Sequence, residues 1–133
     1  MNSVSKFSQN TDVIVADDTS SGRMILAEVL TKNGFSVKKA DSAFTLAKHL
    51  ADSPNASIVL NLTMPPLRGP DYVQSVRSQM SPSSRLVVYT ADESDGLEQS
   101  VIAAGADRFF PIPVPLDALM LSLRAEDLCS IAD

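Results

Sequence analysis

The sequence predicts an α/β domain in which five parallel strands form one sheet and five helices cover both of its faces, in a doubly wound arrangement. Two observations carry this prediction. Five apolar runs of three to five residues alternate with single segments of helical periodicity. Each helical segment is bounded by capping residues, glycine or proline. Because parallel strands need a crossover between them, this alternation favours a parallel sheet over an antiparallel one.

The first unit begins with a β-branched run at 13–16, and the helix that follows has a recognisable start and end. Thr19 or Ser20 is predicted to cap the helix, and the Asn33-Gly34 pair is predicted to end it. The apolar side chains expected to face the sheet are Met24, Ile25, Val29 and Leu30.

The second strand is predicted at 35–37, and Ser42 is predicted to open a helix that ends before Pro54. The third strand is predicted at 58–62, an almost wholly apolar run typical of a strand buried on both faces. The side chains of the second helix expected to face inward are Phe44, Leu46, Ala47 and Leu50.

The last two strands are predicted at 86–89 and 108–110. Pro70 suits the first turn of the third helix, Gly105 ends the fourth, and the fifth helix covers 116–123. The side chains expected to face inward from these helices are Tyr72, Val73, Val76 and Met80, then Leu97, Val101 and Ala104, then Leu116, Leu119, Met120 and Leu123.

Charge and composition exclude several classes of protein. The chain of 133 residues has a net charge of -5 and no stretch that concentrates Lys and Arg, so we expect no direct binding of nucleic acid. Its single cysteine, Cys129, has no internal disulfide partner and cannot complete a zinc site with the single histidine, His49. The sequence contains no apolar run long enough to span a bilayer and no secretory signal, which predicts a cytoplasmic protein without a membrane partner.

The length fits one domain. We expect a flexible leader at 1–11, the folded domain at 12–126 and a C-terminal tail at 127–133.

Several polar residues follow predicted strands directly. In a doubly wound sheet the ligand site lies at the carboxyl ends of the strands, where the strand order reverses. We therefore expect the residues at these ends to converge: Asp17, Asp18, Asn61, Thr90 and the segment after Phe110.

This set of motifs resembles the receiver domain of two-component response regulators, from Asp12 to about Leu123. The matching motifs are the acidic pair Asp17-Asp18, the third-strand motif Asn61-Leu62-Thr63-Met64-Pro65-Pro66-Leu67-Arg68-Gly69, Thr90-Ala91, Ala104-Gly105-Ala106-Asp107 and Ile112-Pro113. The resemblance implies a flavodoxin-like (βα)5 fold and a cis peptide bond between Ile112 and Pro113. By the same resemblance, Thr90, Phe109 and Ile112 stand at the switch positions.

Two departures from the family pattern bear on function. The phosphoacceptor aspartate of the family corresponds to Asn61, and an amide is not an anionic nucleophile. The family's conserved lysine corresponds to Ile112, so the cation that pairs with the phosphoryl oxygens is missing. The two losses remove one carboxylate and one ammonium together and leave the net charge of the site unchanged.

The resemblance with these departures predicts an atypical receiver domain that acts through protein–protein interaction without aspartate phosphorylation and is not an enzyme. The alternative is an Asp-to-Asn variant of a phosphorylatable response regulator. The partner would be a sensor kinase, an output domain or another signalling protein.

The acidic pair is also a candidate cation site. Asp17 and Asp18, with the amide oxygen of Asn61 and the backbone carbonyl of Thr63, would bind Mg²⁺ weakly.

The fourth and fifth helices carry more apolar residues than one buried face needs. The residues of this surplus are Ile102 on the fourth helix and Ala118 and Leu121 on the fifth. Ile102 and Leu121 predict an interface with a partner or with a second copy of the chain.

Overall fold

The computed structural model describes residues 12–62 and 69–124. The predicted leader at 1–11, the predicted tail at 127–133 and Thr63 lie outside the described residues. The predicted end of the domain at 126 lies outside them too. The elements in chain order are β1 (Val13–Ala16), α1 (Ser20–Lys32), β2 (Val37–Ala40), α2 (Ala43–Asp52), β3 (Ser57–Asn61), α3 (Pro70–Ser78), β4 (Leu86–Thr90), α4 (Leu97–Ala103), β5 (Arg108–Pro111) and α5 (Leu116–Leu123).

The five strands form one parallel sheet in the order β2-β1-β3-β4-β5, which confirms the predicted fold class. Ala16 at the end of β1 pairs with Ala40 of β2 on one side and with Leu60 of β3 on the other. The order of the strands reverses at β1, so the crevice expected for a ligand lies beside its carboxyl end.

Side chains alternate across the sheet and form a core on each face. On one face, Ile14, Ile58 and Leu60 pack with residues of α2, α3 and α4. On the other face, Val15 and Val59 pack with residues of α1 and α5. The domain therefore has three layers, and the two helices next to the carboxyl end of β1 on the second face are α1 and α5.

The second strand lies at Val37–Ala40 and not at the predicted 35–37. Phe35 packs against the α1 and α5 side of the core before the strand begins. The strand itself contains Lys38 and Lys39, which are exposed because β2 is an edge strand. Its sequence therefore lacks the apolar run that marks the buried strands.

The predicted inward faces of three helices are partly wrong. The core contacts of α1 come from Leu26, Ala27 and Leu30, and those of α2 come from Leu46 and Leu50. A helix buries residues spaced by three or four, so apolar residues outside that spacing face solvent. The residues predicted inward but found exposed are Met24, Ile25, Phe44, Ala47 and Leu116.

The predicted helix boundaries agree with the structure. Ser42 is the N-cap of α2, and its side chain accepts a hydrogen bond from the Thr45 amide. Pro70 occupies the first turn of α3, and α4 ends before Gly105. In the part of the chain that the structure describes, no helix is long and apolar enough to cross a membrane.

Candidate functional site

The carboxyl ends of β1, β3 and β4 bring three polar side chains into contact. Asp17 follows β1, Asn61 ends β3, and Tyr89 lies one residue before the end of β4. The Asn61 amide nitrogen donates to Asp17 Oδ1 over 3.0 Å, and the Tyr89 hydroxyl donates to Asp17 Oδ2. Asn61 and Tyr89 are directly paired in the register of β3 and β4, which places both side chains at one level of the sheet.

The Asp17 carboxylate is buried and accepts four hydrogen bonds. Besides Asn61 and Tyr89, the backbone amide and the hydroxyl of Thr19 both donate to Oδ1 over 2.8 Å. Thr19 is the N-cap of α1, as predicted, but its hydroxyl bonds to Asp17 and makes no capping bond. The Arg23 guanidinium donates to the backbone carbonyl of Asp17 over 2.8 Å. The protein thus supplies four donors to this buried anion.

Tyr89 is the site residue that the sequence reasoning missed. Burial raises the pKa of its hydroxyl well above the usual value, and the hydrogen bond to Asp17 raises it further, so the group remains a donor at neutral pH. A signal was present in the sequence. Tyr89 follows the three aliphatic residues that begin β4, and a buried tyrosine hydroxyl needs a polar partner.

The structure separates the two predicted acidic residues. Asp17 is 2% exposed and fully bonded, whereas Asp18 is exposed. Thr63, the fourth predicted ligand, lies outside the described residues. The orientation of Asn61 is fixed by chemistry, because the ionised Asp17 only accepts hydrogen bonds and so faces the amide nitrogen.

Asp17 and Asn61 do not fit the predicted Mg²⁺ site. Both oxygens of Asp17 already accept bonds from protein donors, and Asn61 turns its nitrogen to Asp17. Within residues 12–62 and 69–124, no group of three or more His, Cys, Asp or Glu side chains is placed to hold a metal ion. The prediction of weak Mg²⁺ binding therefore gains no support from this geometry.

The predicted switch residues lie around the same edge. Thr90 is buried, and its hydroxyl accepts a bond from the Asp92 amide over 3.1 Å. Phe109 is half-buried against the α2, α3 and α4 side of the core. Ile112 is 49% exposed, and the bond between Ile112 and Pro113 is cis, as the resemblance implied.

A cavity of about 550 Å³ adjoins Asp17 and Asn61. Its walls are mainly apolar where the family's lysine would stand. The apolar lining residues are Ile25, Leu26, Ile112, Pro113, Val114 and Leu116.

Ile102 and Leu121 are both exposed, at 41% and 53%. Ile102 lies on α4 and Leu121 on α5, and these helices cover opposite faces of the sheet next to its β4 and β5 strands. The structure thus leaves both predicted interface residues accessible.

Comparison with known proteins agrees with this fold. The sequence pattern of the response regulator receiver domain matches residues 13–124. The response regulator MprA of Mycobacterium avium (strain 104) is 33% identical over 114 residues, which cover 85% of this chain. The match covers 49% of that protein, so the chain spans about half the length of this relative.

Two solved structures share the fold. A response regulator from Burkholderia pseudomallei, solved with a phosphorylated aspartic acid, a calcium ion and citrate, has a TM-score of 0.75 at 21% identity, over 92% of this chain and 73% of the other. The beryllofluoride-activated NtrC4 receiver domain dimer has a TM-score of 0.76 at 24% identity, over 86% of this chain and 93% of the other. With the match across 13–124, these findings show that the chain belongs to the response regulator receiver domains of two-component signalling.

Proposed function

We propose that this receiver domain signals through protein–protein contact without accepting a phosphoryl group at position 61. The observation that carries the proposal is the Asn61 side chain, which stands at the family's acceptor position and donates a hydrogen bond to Asp17. An amide oxygen carries no negative charge and its lone pairs are delocalised, so it does not attack phosphorus as a carboxylate does.

The surroundings of Asn61 support the same proposal. Ile112 stands where the family has a lysine, and no basic side chain lines the cavity beside Asn61 in the described residues. A phosphoryl group at this edge would lie next to the buried Asp17 carboxylate, and Ile112 offers no charge where the family's lysine would pair with it. Such a product would be strongly disfavoured.

Receiver domains act with kinases and output domains, and the NtrC4 neighbour is a dimer. We propose that this chain binds a signalling partner, or a second copy of itself, through the side of the domain formed by α4, β5 and α5, where Ile102 and Leu121 are exposed. Both aliphatic side chains are exposed, so contact with a partner would remove apolar surface from water.

Incubation with acetyl phosphate and excess Mg²⁺ tests the proposal. Intact mass spectrometry is expected to show no added phosphoryl group on the chain. A receiver domain that keeps its aspartate, treated in parallel, supplies the positive control. Stable phosphate on the unaltered chain would contradict the proposal and favour the alternative of a phosphorylatable regulator.

Charged substitutions test the surface. Leu121→Glu and Ile102→Glu are each expected to weaken self-association or partner binding by about tenfold or more, while the melting temperature changes little. Leu119→Glu is the matched control, because Leu119 lies on the same helix, is 0% exposed and should unfold the domain.

Light scattering and thermal unfolding measure both effects. A melting temperature lowered as much by Leu121→Glu as by Leu119→Glu would place Leu121 in the core and remove the surface proposal. A monomer at all concentrations would restrict the surface to a partner other than a second copy.

A further inference from the structure

We propose that the hydrogen bonds of Tyr89 and Asn61 take the place of a divalent cation at the Asp17 carboxylate, so that Mg²⁺ does not bind there and adds nothing to the stability of this receiver domain. The inference rests on the proposed function, because both concern the edge of the sheet at Asn61. It is tested by metal binding, which can fail while the proposed loss of phosphoryl acceptance stands.

The first argument is the number of protein donors to the anion. Asp17 Oδ1 accepts two bonds from Thr19 and one from Asn61, and Oδ2 accepts one from Tyr89. Both oxygens of the carboxylate are thus engaged by protein donors. Charge-assisted hydrogen bonds of this kind compensate a buried carboxylate, which is the task that a cation performs in an acidic pocket.

The second argument is that Tyr89 cannot readily turn away. Tyr89 is 3% exposed, and its ring belongs to the core cluster that contains Phe110 and Leu119. Close packing fixes the ring, and the ring carries the hydroxyl to Asp17 Oδ2. A cation approaching that oxygen would have to displace a donor that the core holds in place.

The third argument is the lack of space on the α1 side of the carboxylate. A Cβ built on Gly22 would lie 2.7 Å from Asp17 Oδ2 and 2.8 Å from Thr19 Oγ1, so the helix backbone already presses against the anion. Mg²⁺ keeps several water molecules, so it would have to approach Asp17 from the adjoining cavity, whose walls are mainly apolar. Tyr89 bounds the carboxylate on its core side, and α1 bounds it at its side.

The test is a titration of the full chain with MgCl₂ to about 20 mM, against NaCl of equal ionic strength. We expect no binding heat and no change in melting temperature beyond the NaCl control. The double variant Asn61→Asp/Tyr89→Phe supplies a carboxylate and removes the blocking donor. Its melting temperature is expected to rise by about 3 °C or more with Mg²⁺, as mass action requires of a ligand in excess of its Kd.

The matched control is Asn61→Asp/Tyr72→Phe, which removes the hydroxyl of another buried tyrosine that plays no part in the Asp17 contacts. We expect its response to Mg²⁺ to be markedly smaller than that of the Tyr89 variant. Equal responses of the two variants would overturn the role of Tyr89, and so would the absence of any response in both. Binding of Mg²⁺ by the unaltered chain, which needs no variant to fold, would overturn the inference and leave the phosphoryl-transfer result untouched.

Discussion

Asn61→Asp combined with Ile112→Lys is expected to turn the chain into a phosphoryl acceptor. The first change supplies the anionic oxygen that attacks phosphorus, and the second supplies a cation within reach of the phosphoryl oxygens. Ile112 is 49% exposed and lines the cavity beside Asn61, so a lysine there has room to extend. Mass spectrometry after acetyl phosphate treatment would show one added phosphoryl group on the double variant and none on the unaltered chain.

The single variants separate the two contributions. Asn61→Asp alone should accept phosphate slowly, about tenfold or more below the double variant, since a hydrogen bond to a charged group contributes about 1.5–3 kcal/mol. Ile112→Lys alone should accept none. Addition of Tyr89→Phe to the double variant should increase the rate further by freeing Asp17 Oδ2. Full and rapid phosphorylation of Asn61→Asp alone would contradict the importance of Ile112.

Asn61→Asp alone is also expected to destabilise the domain at neutral pH in the absence of divalent cations. It replaces a donor that lies 3.0 Å from Asp17 Oδ1 with a second carboxylate beside a buried one. Loss of the bond together with repulsion between like charges should lower the free energy of unfolding by about 3–5 kcal/mol. Urea unfolding in EDTA measures this value, and Asn61→Ala, which loses the bond without the repulsion, should lose about 1–3 kcal/mol.

The loss of unfolding free energy in Asn61→Asp should be smaller at acid pH, where the carboxyl pair is protonated. Repulsion raises the apparent pKa of the carboxyl pair in the folded state above the unfolded value of about 3.9. Stability is therefore retained at pH values below the unfolded pKa and is lost as the pH rises through the raised folded pKa. Relative to the unaltered chain, Asn61→Asp should lose less at about pH 4 than at about pH 7, whereas Asn61→Ala should lose a similar amount at both. Equal losses of Asn61→Asp at the two pH values would refute the repulsion.

The sequence was sufficient for the order and type of the elements because the central strands are buried on both faces and so are continuously apolar. Ile58, Val59 and Leu60 show this pattern in β3. The edge strand β2 was misplaced, since its exposed Lys38 and Lys39 give no such signal. The exposed Phe44 shows the other difficulty: an aromatic residue near a helix start looks like core until the neighbouring strands fix which face is covered.

The site was also predicted only in part. The sequence pointed to Asn61 and Ile112 because the residues around them match the motifs of the family, and a motif can be aligned even where one residue in it has changed type. Tyr89 was missed because its role depends on the alignment of β3 with β4 and on the depth of its ring in the core, neither of which a single strand reveals. The hydrogen bonds of Asp17 with Asn61 and Tyr89 depend on how β1, β3 and β4 are aligned in the sheet.

The two outer strands of the sheet bear on how copies of the chain can meet. β2 presents Lys38 and Lys39 to solvent, and β5 presents Arg108 and ends at Pro111, which has no backbone N–H to offer. The lysines of β2 repel those of a second copy, and Pro111 of β5 has no donor for a strand hydrogen bond. Both edge strands are therefore poor templates for an added strand. Neither edge of the sheet therefore favours pairing with a strand of another molecule. The domain should resist aggregation through its sheet edges in the crowded cell. A specific dimer would have to form through its helices.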